Sequence, residues 1–142
     1  NDQNQLKVIV RTDHFDNFQG EYAGFKVYVI NNTDEVLALE AQDSRLYLKR
    51  QVFYDGQWQD VEYLPGSWCG NSYHRVYIKP MAYWDFTAPC FKGPIKAKFR
   101  FELQVDDFTT IYSNEFEGRF NKKQLGKEQG HRPTSIMDPY NN

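Results

Sequence analysis

The sequence predicts an all-β protein, an immunoglobulin-like two-sheet β-sandwich of about eight strands, with a β-barrel as the alternative. Three observations carry that expectation. Apolar and polar residues alternate without a break from Ile95 to Val105, a period of two that no helix can match. Turn signals fall between the candidate strands at the intervals a sandwich needs. No stretch of ten residues repeats its apolar positions every three or four residues, as a helical stripe would.

The elements follow in chain order. Leu6, Val8 and Val10 mark a first inward face, and Phe25, Val27 and Val29 a second, before the turn residues Asn31-Asn32-Thr33-Asp34. Between them, the loop Thr12–Tyr22 collects oxygen ligands. Asp13, Asp16 and Glu21 are its candidates for a calcium ion, although their spacing is not that of an EF-hand and a solvated loop is the simpler reading. Asp55-Gly56 separates Leu46–Tyr54 from Trp58–Leu64 and signals a type I′ hairpin, because both central positions need positive φ. That turn sets Phe53 opposite Trp58.

The segment Tyr73–Thr87 reads as a strand pair around Lys79-Pro80-Met81, with a crossing between sheets as the other option. As a hairpin it places Val76 against Trp84 inside, and Arg75 against Asp85 and Tyr77 against Tyr83 outside. His74 then faces inward. Farther on, a two-residue turn at Asp106-Asp107 pairs Lys98 with Glu115 and Lys96 with Glu117 on one face. The other face pairs Phe101 with Tyr112 and Ala97 with Phe116.

Length and composition set limits on function. The 142 residues suit one domain. The expected division is a sandwich over 1–118 and a polar basic tail over 119–142, where five basic residues stand against two acidic ones and alternation is lost. A net charge of −2 argues against a nucleic-acid binder, and no apolar run is long enough for a transmembrane segment. The chain begins at Asn1 without an apolar leader, which fits either a removed signal or a trimmed end. Cys69 and Cys90 flank the Tyr73–Thr87 pair, and a disulfide between them is expected. Such a bond belongs to an exported protein, in the periplasm, at the cell surface or secreted.

Ser67-Trp68-Cys69-Gly70-Asn71-Ser72-Tyr73-His74 resembles uncharacterised exported or lipid-anchored β-sandwich proteins of Bacteroidota-type bacteria. Trp58 and Val61-Glu62-Tyr63 extend the resemblance upstream. Downstream it takes in Tyr83-Trp84, Phe86, Pro89 and Ile111-Tyr112-Ser113-Asn114-Glu115-Phe116-Glu117-Gly118. The resemblance covers roughly residues 45–118. It implies fold and compartment, and brings no catalytic residues with it.

Chemistry-bearing motifs are few. His14, His74 and His131 lie in three different regions, and the two cysteines lack zinc-finger spacing. No nucleophile elbow, phosphate loop or dinucleotide fingerprint occurs. No catalytic residue, metal or cofactor is therefore assigned, and the protein is not expected to be an enzyme. The surplus lies in the aromatics, 17% of the chain. Phe25, Phe86, Phe99 and Phe101 point inward. Tyr28, Tyr47, Tyr73, Tyr77 and Tyr83 point outward, as does Trp58 or Trp68, and exposed rings anchor proteins or stack on sugars. The expected ligand surface is Tyr73, Arg75, Tyr77, Tyr83 and Asp85. The leading expectation is a non-enzymatic domain that binds or scaffolds a macromolecule at the cell envelope. A carbohydrate-binding module and an inhibitor or immunity-type protein are the alternatives.

Overall fold

A computed structural model describes residues 5–18, 22–42, 45–61 and 73–125. Strands dominate them: β1 (Leu6–Phe18), β2 (Tyr22–Asn31), β3 (Leu37–Gln42), β4 (Arg45–Leu46), β5 (Leu48–Tyr54) and β6 (Gln57–Asp60) come first. β7 (Tyr73–Ile78), β8 (Ala82–Pro89), β9 (Ile95–Asp106), β10 (Thr109–Tyr112) and β11 (Phe116–Phe120) follow. The one helical element among the described residues is a 3₁₀ turn at Lys122–Leu125. The protein is all-β.

Among the described residues, hydrogen bonding divides the strands into three antiparallel sheets where two are expected. Their orders are β1-β2-β8, β4-β3-β7 and β10-β9-β5-β6, with β11 continuing beside β9 where β10 leaves off. The alternating faces of all three meet in one core. Val8, Val27, Val29 and Phe86 come from the first sheet, Leu39, Val76 and Ile78 from the second, and Val52, Phe99, Phe101 and Leu103 from the third. Each such side chain is worth about 1.5–3 kcal/mol when fully buried. The four expected core phenylalanines, Phe25, Phe86, Phe99 and Phe101, are all buried.

The β5–β6 hairpin forms as its turn requires. Asp55 and Gly56 have φ of 57° and 80°, and Phe53 lies opposite Trp58.

Other expectations are corrected. Tyr73–Thr87 is a crossing and not a hairpin: β7 pairs with β3 and β8 with β2, so the two strands belong to different sheets. The expected opposition of Arg75 to Asp85, Tyr77 to Tyr83 and Val76 to Trp84 disappears with it. The chain past Asp106 is also displaced. The turn falls on Asp107-Phe108 instead of Asp106-Asp107, and a bulge at Thr109/Thr110 then sets Ile111 opposite Leu103 and Tyr112 opposite Glu102, turning Tyr112 outward and away from Phe101. A second irregularity follows at Ser113, whose N–H donates to the Phe101 carbonyl while its Oγ accepts from Phe101 N–H. Phe116 therefore pairs with Phe99 and Glu117 with Lys98. Lys96 still reaches Glu117 diagonally at 3.8 Å. Two one-residue shifts restore the facing, which is why Phe116 remains in the core.

Two boundaries differ as well. Residues expected in the loop Thr12–Tyr22 extend β1 to Phe18, past a register shift between Arg11 and Phe15. At the other end β11 runs beyond Gly118, and Phe120 is fully buried opposite Ile95.

Candidate functional site

The residues expected to form a ligand surface are divided between two sheets. Arg75 and Tyr77 stand exposed on β7, with Arg75 opposite Glu40 of β3. Tyr83 and Asp85 lie on β8. Tyr83 approaches Tyr28, with ring centroids 5.8 Å apart, while Asp85 pairs with Lys26 at 3.4 Å. The Tyr73 side chain lies outside the described residues, as do Glu21 and Cys69. Cys90, expected in a disulfide with Cys69, is an exposed free thiol. The hairpin that would have brought Cys69 beside it does not form. His74, expected inward, is half-buried opposite Ala41.

Asp13 and Asp16, two of the acidic residues expected near a cation, are taken up by basic ones. Asp13 binds Arg11 through two hydrogen bonds of 2.9 and 2.8 Å. Asp16 accepts the Thr87 hydroxyl at 2.8 Å and lies 3.1 Å from Lys26. The Thr87 hydroxyl, the Asn17 N–H and Lys26 together hold the Asp16 carboxyl below its ordinary range. Burial works against the Lys26 charge, but Asp16 and Asp85 outweigh it and raise its pKa. Among the described residues no group of three His, Cys, Asp or Glu side chains is placed to hold a metal ion.

A different constellation occupies the outer face of the β10-β9-β5-β6 sheet. The period of two turns Lys98, Arg100 and Glu102 of β9 outward, together with Lys49, Gln51 and Phe53 of β5. The type I′ turn adds Trp58 and Asp60 of β6, and the Thr109/Thr110 bulge adds Tyr112 of β10.

Arg100 is the centre of this face. Its Cζ lies 4.2 Å from the Trp58 ring centroid on the β6 side and 3.9 Å from that of Tyr112 on the β10 side. Its Nε donates to Gln51 Oε1 at 2.8 Å. Gln51 is nearly buried, and its Nε2 donates to Asp60 Oδ1 at 2.9 Å. Its amide orientation is thus set from both ends. Phe53 packs edge-on against Trp58 at 5.4 Å and remains 45% exposed, while Tyr112 is 47% exposed.

The neighbouring charges are already matched. Lys49 contacts Asp60 at 3.0 Å and Glu102 at 3.4 Å. Burial opposes the Lys49 charge, yet the Asp60 hydrogen bond and the two carboxylates raise its pKa. Arg100 and Lys98, by contrast, form no ion pair among the described residues, although Glu117 stands opposite Lys98 in the β11–β9 register.

A second concavity, of about 160 Å³, opens between β1 and β11. Phe15, Phe25, Phe91, Phe99 and Phe116 line it, with Cys90 among its walls. Arg50 lies beneath them, 1% exposed, its Cζ 3.7 Å from the Phe91 centroid and its Nη2 donating to the Pro89 carbonyl at 2.9 Å. This guanidinium is part of the core.

Sequence reasoning identified the Phe53–Trp58 pair but missed its union with Arg100 and Tyr112. The available signal was parity: Phe53, Gln51 and Arg100 share one face as soon as β5 is laid beside β9. Comparison with protein-family models, curated proteins and solved structures finds no match.

Proposed function

We propose that this chain is a non-enzymatic, exported domain that binds a macromolecular partner at the cell envelope through the Phe53–Trp58–Arg100–Tyr112 face. The observation that carries the proposal is Arg100 fixed between two rings on the outer face of the sheet. Tyr, Trp and Arg dominate binding hot spots because they supply large contact area and directed hydrogen bonds. Holding the arginine in place beforehand removes much of the ordering cost of association. Export is supported by the resemblance carried by Ser67–His74. The non-enzymatic reading is supported by the dispersal of reactive side chains: His14 hydrogen-bonds Tyr28 on one sheet, while His74 stands on another.

Photocrosslinking in the native host tests the reading. A benzophenone side chain at position 53 is expected to give a defined adduct in the envelope fraction. The same group at Phe108, which is 97% exposed on the Asp106–Thr109 turn, is expected to give none. Equal labelling from both positions, or labelling from neither, overturns the proposal.

A glycan ligand is the second reading, favoured by the other outer face. Tyr83 is 59% exposed beside Tyr28, with the Lys26–Asp16–Asp85–Thr87 network adjacent, so that rings and hydrogen-bonding groups stand side by side. Retention on a glycan array that is lost in Tyr83→Ala and kept in Trp58→Ala would support this face over the first.

A further inference from the structure

We infer that Arg100 and Lys98 form a receptor for two carboxylates of an extended acidic-x-acidic segment in a protein partner. This rests on the macromolecule-binding reading above and specifies the partner's chemistry. A guanidinium has five N–H donors in a planar fork. In Arg100 the Nε–H is spent on Gln51, and Trp58 and Tyr112 flank the group. The terminal nitrogens remain, and their geometry matches the two oxygens of one carboxylate.

Lys98 sets the repeat. It lies two residues from Arg100 on the same outward face of β9, about 7 Å away at the rise of an extended chain. An extended partner presents residues i and i+2 at the same spacing on one side. Two acidic side chains in that pattern meet Lys98 and Arg100 together. The exposed flanks of Phe53 and Tyr112 are then free to cover apolar side chains two positions beyond the acidic pair, which face the same side.

The surroundings discriminate among anions. Asp60 reaches Arg100 through Gln51, Glu102 follows Arg100 on the same face of β9 and Glu117 stands opposite Lys98, so the basic surface is limited to two side chains. Nucleic acids need a broad basic surface, which a chain of net charge −2 does not supply here. Acidic sugars are disfavoured for a different reason. Arg100 lies against both Trp58 and Tyr112, where a pyranose would otherwise stack.

Fluorescence anisotropy of the full chain with twelve-residue peptides is the test. One peptide carries Val-x-Glu-x-Glu-x-Val, a second carries Gln in place of both Glu in the same frame, and oligogalacturonate serves as the acidic-sugar probe. The Glu peptide is expected to bind roughly tenfold or more tightly than its amide counterpart, since charge-assisted bonds are about twice as strong as neutral ones. Arg100→Lys keeps the charge and removes the fork, and is expected to weaken Glu-peptide binding by about tenfold. Lys98→Gln is expected to have a smaller effect. Unchanged thermal unfolding of both variants establishes that they are folded.

Equal affinity for the Glu and Gln peptides, no binding of either, wild-type affinity in Arg100→Lys, or tighter binding of oligogalacturonate would each overturn the inference. If the position-53 adduct forms while the Glu peptide has no advantage, the binding reading stands and the carboxylate receptor falls. If neither is seen, both fall.

Discussion

Asn114 pairs with Val10 as a strand residue would. Its Oδ1 accepts the Val10 N–H at 2.7 Å, and its Nδ2 donates to the Val10 carbonyl at 3.1 Å. Val10 lies on β1, an edge of the β1-β2-β8 sheet, whereas Asn114 belongs to the junction between β10 and β11. One carboxamide thus ties two sheets together and completes the ladder at an edge. Val10 is only 3% exposed, so its backbone groups have little access to replacement water.

Asn114→Ala removes both bonds and is expected to cost about 2 kcal/mol, within the range for leaving buried backbone groups unsatisfied. Asn114→Asp keeps an acceptor for the Val10 N–H but turns a second oxygen toward the Val10 carbonyl. It is expected to be at least as unstable near neutral pH. Urea unfolding midpoints check both variants. Wild-type stability in Asn114→Ala would mean that this tie contributes nothing to the fold.

Asp13 gives an acid-range prediction. The hydrogen bonds from Arg11 are the largest influence on it and hold its pKa at about 2, below the usual 3.8. A lowered folded-state pKa favours the folded chain above the ordinary value. That contribution is lost as pH falls through the interval from 3.8 to about 2. Since the pair is exposed, the expected readout is the titration itself. In Arg11→Gln the Asp13 midpoint, followed by NMR, moves up toward 3.8, and an unchanged midpoint would refute the assignment.

The Asp55-Gly56 turn and the β9 face were legible because their causes are local: positive φ at two positions, and strict alternation. The fate of Tyr73–Thr87 was not. Pro80-Met81 resembles a hairpin turn, and Met81 does adopt a positive φ of 55°. Strand pairing was decided elsewhere, by the edges of β2 and β3 competing for β8 and β7. The same holds for Tyr112. A single bulge reversed its facing, and bulges depend on the partner strand as much as on their own residues. The Arg100 clamp required both events: a locally coded hairpin to bring Trp58, and a bulge to bring Tyr112.

Phe120 and Gly93 together hold the end of β11 in place. Phe120 has no exposed surface, and its ring meets Tyr54 at 5.3 Å and Phe99 at 6.1 Å. Phe120→Ala is expected to lose about 3–5 kcal/mol, as do other large-to-small changes in cores. A chain ending at Gly118 is expected to lose at least as much relative to one ending at Leu125. Gly93 supports the same junction from the other side. A Cβ there would lie 2.2 Å from the Phe120 carbonyl oxygen, and its φ of 153° is one that other residues rarely adopt. Gly93→Ala is therefore expected to unfold at much lower urea concentration than the wild type. Near-normal stability in either point variant would show that β11 is not held as described.

Asn31 provides the sharpest test of the sheet crossing. It is fully buried at the end of β2, and its Nδ2 lies within hydrogen-bond distance of three carbonyls: Glu35 at 2.7 Å, Ile78 at 3.1 Å and Lys79 at 3.0 Å. Its Oδ1 accepts from the Thr33 N–H and hydroxyl at 3.0 and 2.6 Å. A further bond joins Met81 N–H to the Thr33 carbonyl at 3.2 Å. The turn after β2 thus holds the chain where it leaves β7 and enters β8, and this attachment replaces the hairpin that Pro80 suggests. Asn31→Ala strands several buried polar groups and is expected to cost about 3 kcal/mol, each unsatisfied group being worth about 1–3 kcal/mol. Asn31→Asp should be worse. It retains the acceptor for Thr33 but directs a buried negative charge at three carbonyl oxygens. The ranking wild type, Ala, Asp in thermal unfolding at neutral pH is the expected result. Acidification should narrow the gap between the two variants, because a protonated carboxyl can donate to one of those carbonyls. An aspartate variant as stable as wild type would contradict the crossing, since a β7–β8 hairpin would leave those carbonyls free to pair within it.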